Sequence, residues 1–90
     1  MTSETEQAIF EAIVQREGSF TFVAIPFLPR EVWEARPRYY VTGTINDTPV
    51  RGTLGALGQE YFLRLAAVWL RESGIEPGAN VTVKLSIENR

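Results

Sequence analysis

Apolar and polar residues alternate with a period of two along most of this chain. In "IFEAIVQRE", Phe10, Ala12 and Val14 share one face while Glu11 and Gln15 share the other, the pattern of a strand with one buried side. Gly18 and Ser19 signal a turn. "FTFVAIPF" follows, rich in the aromatic and β-branched residues that suit a pleated surface. These two runs are expected to pair as a hairpin. Pro26 ends the second run or marks a sheet edge, because proline has no N–H to give a ladder.

"LPREVWEARP" breaks the alternation. Pro29 suits a first helical position and Glu31 and Glu34 suit a helix N-terminal half, so one or two turns are expected, stopped by Pro37, with Val32 and Trp33 partly buried. "YYVTGTIND" then sets Val41, Gly43 and Ile45 inward against Tyr40, Thr42 and Thr44. After a turn at 46–48, Val50, Gly52 and Leu54 oppose Arg51 and Thr53, giving a second hairpin. The glycines at 43, 52, 55 and 58 are read as bends or bulges of the kind small barrels use at corners. "EYFLRLAAVWLRESG" reads either as one long helix or as a strand over 61–65 followed by a helix over 67–73. The second reading is favoured, with Gly74 at the helix end and Arg71 in the last turn. Pro77 and Gly78 turn the chain into "NVTVKLSIE", where Val81, Val83, Leu85 and Ile87 are expected to be buried and Thr82, Lys84 and Ser86 exposed. No internal repeat stands out. Six strand-like runs with one or two short helices predict a mainly β fold, a small closed barrel formed by a single domain over residues 1–90, with 1–6 flexible.

Composition narrows the chemistry. A net charge of −2, from nine basic and eleven acidic residues, speaks against a general nucleic-acid binder, while leaving room for a local basic patch. The chain has no cysteine and no histidine, so disulfides, thiolate chemistry and the commonest zinc ligands are excluded. No metal site and no cofactor is expected. No apolar run is long enough to span a membrane, and the acidic start is unlike a signal peptide, so a soluble, cytoplasmic protein is expected.

No catalytic signature is visible, so a non-enzymatic binding or interaction module is favoured, with a small-anion pocket, enzymatic or not, and nucleic-acid binding as the alternatives. The carboxylates at 31, 34, 47, 60, 72, 76 and 88 fall at turns or on polar faces and read as solvated surface. "RPRYY", residues 36–40, joins arginine to tyrosine, which can hold phosphates and stack bases but can equally be a barrel rim with arginine stems lying on rings. Arg38, Arg51, Arg71 and Tyr40 are the candidates for holding a small anionic ligand. Val68 and Trp69, on a helix apolar on more than one face, are the candidates for a partner surface, either a homodimer or another protein. Nucleic-acid binding would rest on Arg36, Arg38, Arg51 and Arg64 with Tyr39 and Tyr40.

The spaced set "IPF…EVW", "R…V.GTIN..PVRG.L..LG" and "LRE.G…PG..V.V.L" resembles a bacterial family of unknown function, over about Phe10 to Glu88. Its members are small barrels found alone or ahead of YdeI/OmpD-associated domains. The resemblance implies a double-split β-barrel, the broad fold of AbrB/MazE-type transcription factors, where two short chains share one barrel; here one chain is long enough to supply it all. It brings no catalytic activity or cofactor. The matching positions are Ile25, Pro26, Phe27, Arg38, Gly43, Thr44, Ile45, Arg51, Leu54, Gly58, Leu70, Arg71, Gly74 and Gly78. Leu28, Val68 and Ala79 stand where the family often has charged residues, and Tyr61 and Phe62 where it often has basic residues or histidine. These apolar replacements point toward a protein partner.

Overall fold

The alternating runs do form strands, but the chain changes sheets in the middle of two of them. The computed structural model describes residues 7–88; the flexible segment expected over 1–6 lies outside them. In chain order the elements are β1 (Gln7–Ile13), β2 (Gln15–Glu17), β3 (Phe20–Ile25), α1 (Pro29–Trp33), β4 (Tyr40–Ile45), β5 (Thr48–Thr53), β6 (Gly55–Leu57), β7 (Glu60–Arg64), α2 (Ala67–Ser73) and β8 (Asn80–Ile87). They make two four-stranded antiparallel sheets, ordered β1-β8-β4-β5 and β2-β3-β7-β6. The mainly β class therefore holds, with eight strands in place of about six, and neither sheet closes into a barrel.

The reason lies at Val14 and Leu54. Each is buried and sits between two strands that belong to different sheets. The Val14 N–H donates to the Ala79 carbonyl, and the Leu54 N–H donates to the Tyr39 carbonyl, both at 2.9 Å. The backbone is thus satisfied at each bend while the chain crosses to the second sheet, as corner strands of packed sheets do. Each ladder then stops at an edge. The expected first hairpin is corrected accordingly: only β2 pairs β3, and β1 pairs β8. The hairpin of β4 and β5 forms as expected, its turn made by Asn46 and Asp47, both at positive φ.

A repeat that the sequence hides emerges from the register. Adding 40 to a residue number carries the first half onto the second: Gln15↔Phe22 becomes Gly55↔Phe62, and Ala8↔Leu85 becomes Thr48↔Ile45. The central ladders map onto themselves, with Val23 opposite Leu63 and Thr44 opposite Lys84 at the axis. The turn glycines Gly18 and Gly58, at φ 62° and 65°, are related in the same way, as are Val14 and Leu54. Two β–β–β–α–β units are therefore interlocked about an approximate two-fold.

The apolar faces of both sheets meet in one core that includes Val23 and Leu63 from one sheet and Val41, Ile45, Val83 and Leu85 from the other, all fully buried. An edge-to-face aromatic chain closes the α1 end. Phe10 meets Phe27 at 5.7 Å, Phe27 meets Trp33 at 5.5 Å, and Tyr39 meets Tyr61 at 6.1 Å. Trp33 is buried rather than partly so, whereas Val32 stays half-buried. Of the four glycines read as corners, only Gly58 lies in a turn. Gly43 is where β4 crosses β8 so closely that a Cβ would meet the Lys84 carbonyl, and Gly55 lies under the Phe62 ring.

Both helices begin without a side-chain cap, and their ends differ. α2 stops at Gly74, left-handed at φ 75°, with its N–H on the Leu70 carbonyl. α1 was expected to run to Pro37 but ends at Trp33, because Glu34 takes φ 69° and ψ 164°. In β8, Val81, Val83 and Leu85 are buried as expected, while Ile87 is half-buried at the strand end. Thr82, Lys84 and Ser86 are half-buried rather than exposed, since β1 and β4 flank them on both sides.

Candidate functional site

The segment between α1 and β4 leaves the helix through the strained Glu34 and returns to the first sheet at Tyr40. Its inner half is tightly tied down. The Tyr39 hydroxyl donates to the Glu34 carbonyl at 2.9 Å and accepts from the Arg36 N–H at 3.3 Å, and Arg36 Nε donates to the Trp33 carbonyl at 3.0 Å. Tyr39 is therefore a buried structural ring, unavailable for the base stacking considered from the sequence.

The outer half forms one wall of a cleft of about 310 Å³, lined by Arg36, Pro37, Arg38, Tyr40, Ile87 and Glu88. β8 supplies the opposite wall, where the Glu88 N–H donates to the Tyr40 carbonyl. Glu88 is also held from the side by Arg51 on β5, whose Nη2 lies 2.7 Å from Oε2 and whose Nε lies 3.3 Å from Oε1. This two-pronged contact fixes the carboxylate's plane. Three guanidinium groups and one carboxylate thus gather at one end of a protein whose overall charge is −2.

The structure places Arg38, Arg51 and Tyr40, three of the ligand candidates, at one end of the molecule together with Arg36. Arg71 lies on α2 and lines no part of this cleft. Arg64 lies on the outer face of the second sheet, over the Phe20 ring at 5.1 Å. Glu88 was read as solvated surface; its partner Arg51 is 37 residues away, and only the shared first sheet brings the two together. Ile87 and Pro37 were also missed as walls. No signal in a single sequence marks them, because each repeats an ordinary strand or turn residue.

Val68 is 54% exposed on α2, in keeping with a surface position. Trp69 instead packs against the core, and its indole Nε1 donates to the Pro49 carbonyl at 2.6 Å, fastening α2 to β5. A second apolar surface was not foreseen: Phe20, Phe22 and Phe62 cluster on the outer face of the second sheet at centroid distances of 5.2 to 5.7 Å. Among the described residues no group of three or more His, Cys, Asp or Glu side chains could hold a metal, and no helix is long and apolar enough to cross a membrane.

Comparison with curated proteins finds no match. The model of one protein family, a domain of unknown function (DUF1905), matches residues 10–85, from the middle of β1 to the middle of β8 and so across both repeats. With that span covering nearly the whole described fold, the chain belongs to the DUF1905 family.

Proposed function

We propose that this domain is a binding module, not a catalyst, and that its ligand is a small molecule bearing an anionic group, taken into the cleft of Arg36, Arg38 and Tyr40. The observation that carries this reading is internal. Forty residues on, the equivalent of Arg36-Pro37-Arg38-Tyr39-Tyr40 is Glu76-Pro77-Gly78-Ala79-Asn80, which leads into β8 as the first leads into β4. The fold therefore requires the proline and the spacing. It does not require two arginines and a cleft-lining tyrosine.

Arginine suits this role because its planar fork meets phosphate or carboxylate oxygens with paired hydrogen bonds. Arg36 is partly pre-positioned by its bond to the Trp33 carbonyl, which lowers the ordering cost of binding. Tyr40 offers an apolar wall, and Glu88, held by Arg51, can accept from a ligand hydroxyl or amine. A phosphorylated sugar or nucleoside combines these features and matches the size of the cleft. Glu88, the one carboxylate on the cleft wall among the described residues, is paired with a guanidinium, which disfavours a general-base role. Extended nucleic-acid binding is less well supported, since Arg64 faces away on the other sheet and Tyr39 is buried.

Thermal shift and calorimetry with inorganic phosphate, ribose 5-phosphate and adenosine monophosphate test the reading. A ligand at 100-fold its Kd should raise the Tm by about 10 °C or more in a domain this small. Arg36→Ala/Arg38→Ala should abolish the shift, while the free protein still folds with a Tm lowered by no more than several degrees through loss of the Arg36–Trp33 bond. Undiminished binding by that double variant, or no shift with any of the three compounds, rejects the assignment.

A further inference from the structure

The edge strands of the first sheet, β1 and β5, are equivalents forty residues apart, yet among the described residues only β5 is protected. On β5, Pro49 offers no N–H, its carbonyl is taken by the Trp69 indole, and Arg51 is tied to Glu88. These are familiar ways of blunting an edge. On β1 the equivalents of Pro49, Arg51 and Thr53 are Ile9, Glu11 and Ile13, and the equivalent of Trp69 is Pro29, which has no donor to offer. Ile9 and Ile13 are 61% and 56% exposed, among the most exposed large apolar side chains of the described residues.

Backbone direction follows from the register. The Val14 N–H donates to the Ala79 carbonyl in step with the β1–β8 ladder, so even-numbered residues of β1 bond to β8. The backbone groups of Ile9, Glu11 and Ile13 therefore point away from the sheet. We propose that this free edge takes up an extended segment of another protein as a fifth strand, and that the segment presents an apolar–basic–apolar alternation to Ile9, Glu11 and Ile13. Strand addition draws its affinity from main-chain bonds and its specificity from alternate side chains.

Charge selects the occupant. Glu11 lies between the two isoleucines, opposite Thr82 on β8, and forms no ion pair with the described residues. A second copy added antiparallel with Ile9 opposite Ile13 would set Glu11 against Glu11, and like charges directly opposite are unfavourable. Shifting that pairing by two residues removes the clash but places isoleucine against glutamate or glutamine. A lysine or arginine flanked by apolar residues satisfies all three positions together.

The probes are two fluorescein-labelled peptides, TVTKTVT and TVTETVT, followed by anisotropy and by amide shifts in the full chain. The lysine peptide should bind about fivefold tighter than the glutamate peptide, with shifts centred on residues 9–13. Glu11→Lys should reverse that order. Ile9→Pro should fold, because Pro49 already occupies the equivalent site, and should lose peptide binding by removing an outward donor; Ile13→Thr provides a second loss with no backbone change. Arg36→Ala/Arg38→Ala should bind the lysine peptide unchanged, separating this edge from the cleft. Equal affinity for both peptides, absence of binding, or shifts away from β1 would overturn the proposal. So would a concentration-dependent dimer that Ile9→Pro dissociates, which would assign the edge to a second copy.

Discussion

Leu85 pairs with Ala8 on one side and with Gly43 on the other, and its side chain is fully buried between the sheets. Leu85→Ala is expected to destabilise the domain by about 2–4 kcal/mol, the usual range for a truncated core leucine, measured by urea denaturation. Lys84→Ala, one residue away and pointing to the other face, should change stability by less than about 1 kcal/mol. The burial of Val81, Val83 and Leu85 was legible because strict alternation leaves only one apolar face. The half-burial of Lys84 was not, because exposure of an outer-face residue depends on whether its strand is central, and one strand's pattern says nothing of its neighbours. The same limit applies at Tyr39 and Tyr40. Alternation set Tyr40 outward correctly, but Tyr39 precedes the strand, and its inward turn depends on the Glu34 carbonyl it bonds.

Among the elements, α2 was readable at its C-terminal end because a glycine stands where a left-handed residue is needed. α1 was not, because Glu34 occupies a backbone region that is essentially reserved for glycine, and its two-fold equivalent is Gly74. Strain of this kind costs about 1–3 kcal/mol, partly offset here by the bonds that Tyr39 and Arg36 make around it. Glu34→Gly is therefore expected to raise stability by about 0.5–2 kcal/mol even after the greater chain entropy of glycine, with Glu34→Ala near neutral; thermal unfolding distinguishes them. The split of the first run into β1 and β2 was hidden for the opposite reason. No glycine or proline marks the bend, since Val14 makes it with its N–H satisfied by Ala79.

Across the whole molecule, the two units share few identical residues at the forty-residue spacing: Gly18 and Gly58, Phe22 and Phe62, Pro37 and Pro77, Val41 and Val81, Thr42 and Thr82. Matches this sparse escape inspection until the ladder registers are known, and for that reason the cleft's asymmetry between the two units was also hidden. The β1–β8, β4–β8, β4–β5 and β3–β7 ladders all join one unit to the other, so neither unit retains a core alone. Each unit carries one tryptophan, Trp33 or Trp69. Urea unfolding followed in Trp33→Phe and, separately, in Trp69→Phe should show a single transition in each, with the same midpoint once referred to a far-UV signal of the same variant. A fluorescence midpoint that departs from the far-UV midpoint in either variant would mean that the units unfold separately. The pairing of β1 with β8 also bears on how the molecule is made. β1 emerges from the ribosome before its hydrogen-bonding partner β8, which follows after roughly 4–16 s of synthesis at ~5–20 residues per second. Throughout that interval β1 exposes apolar side chains on both faces, Phe10 and Ala12 on one and Ile9 and Ile13, flanking Glu11, on the other, and the emergence of β8 ends its dependence on whatever shields nascent chains.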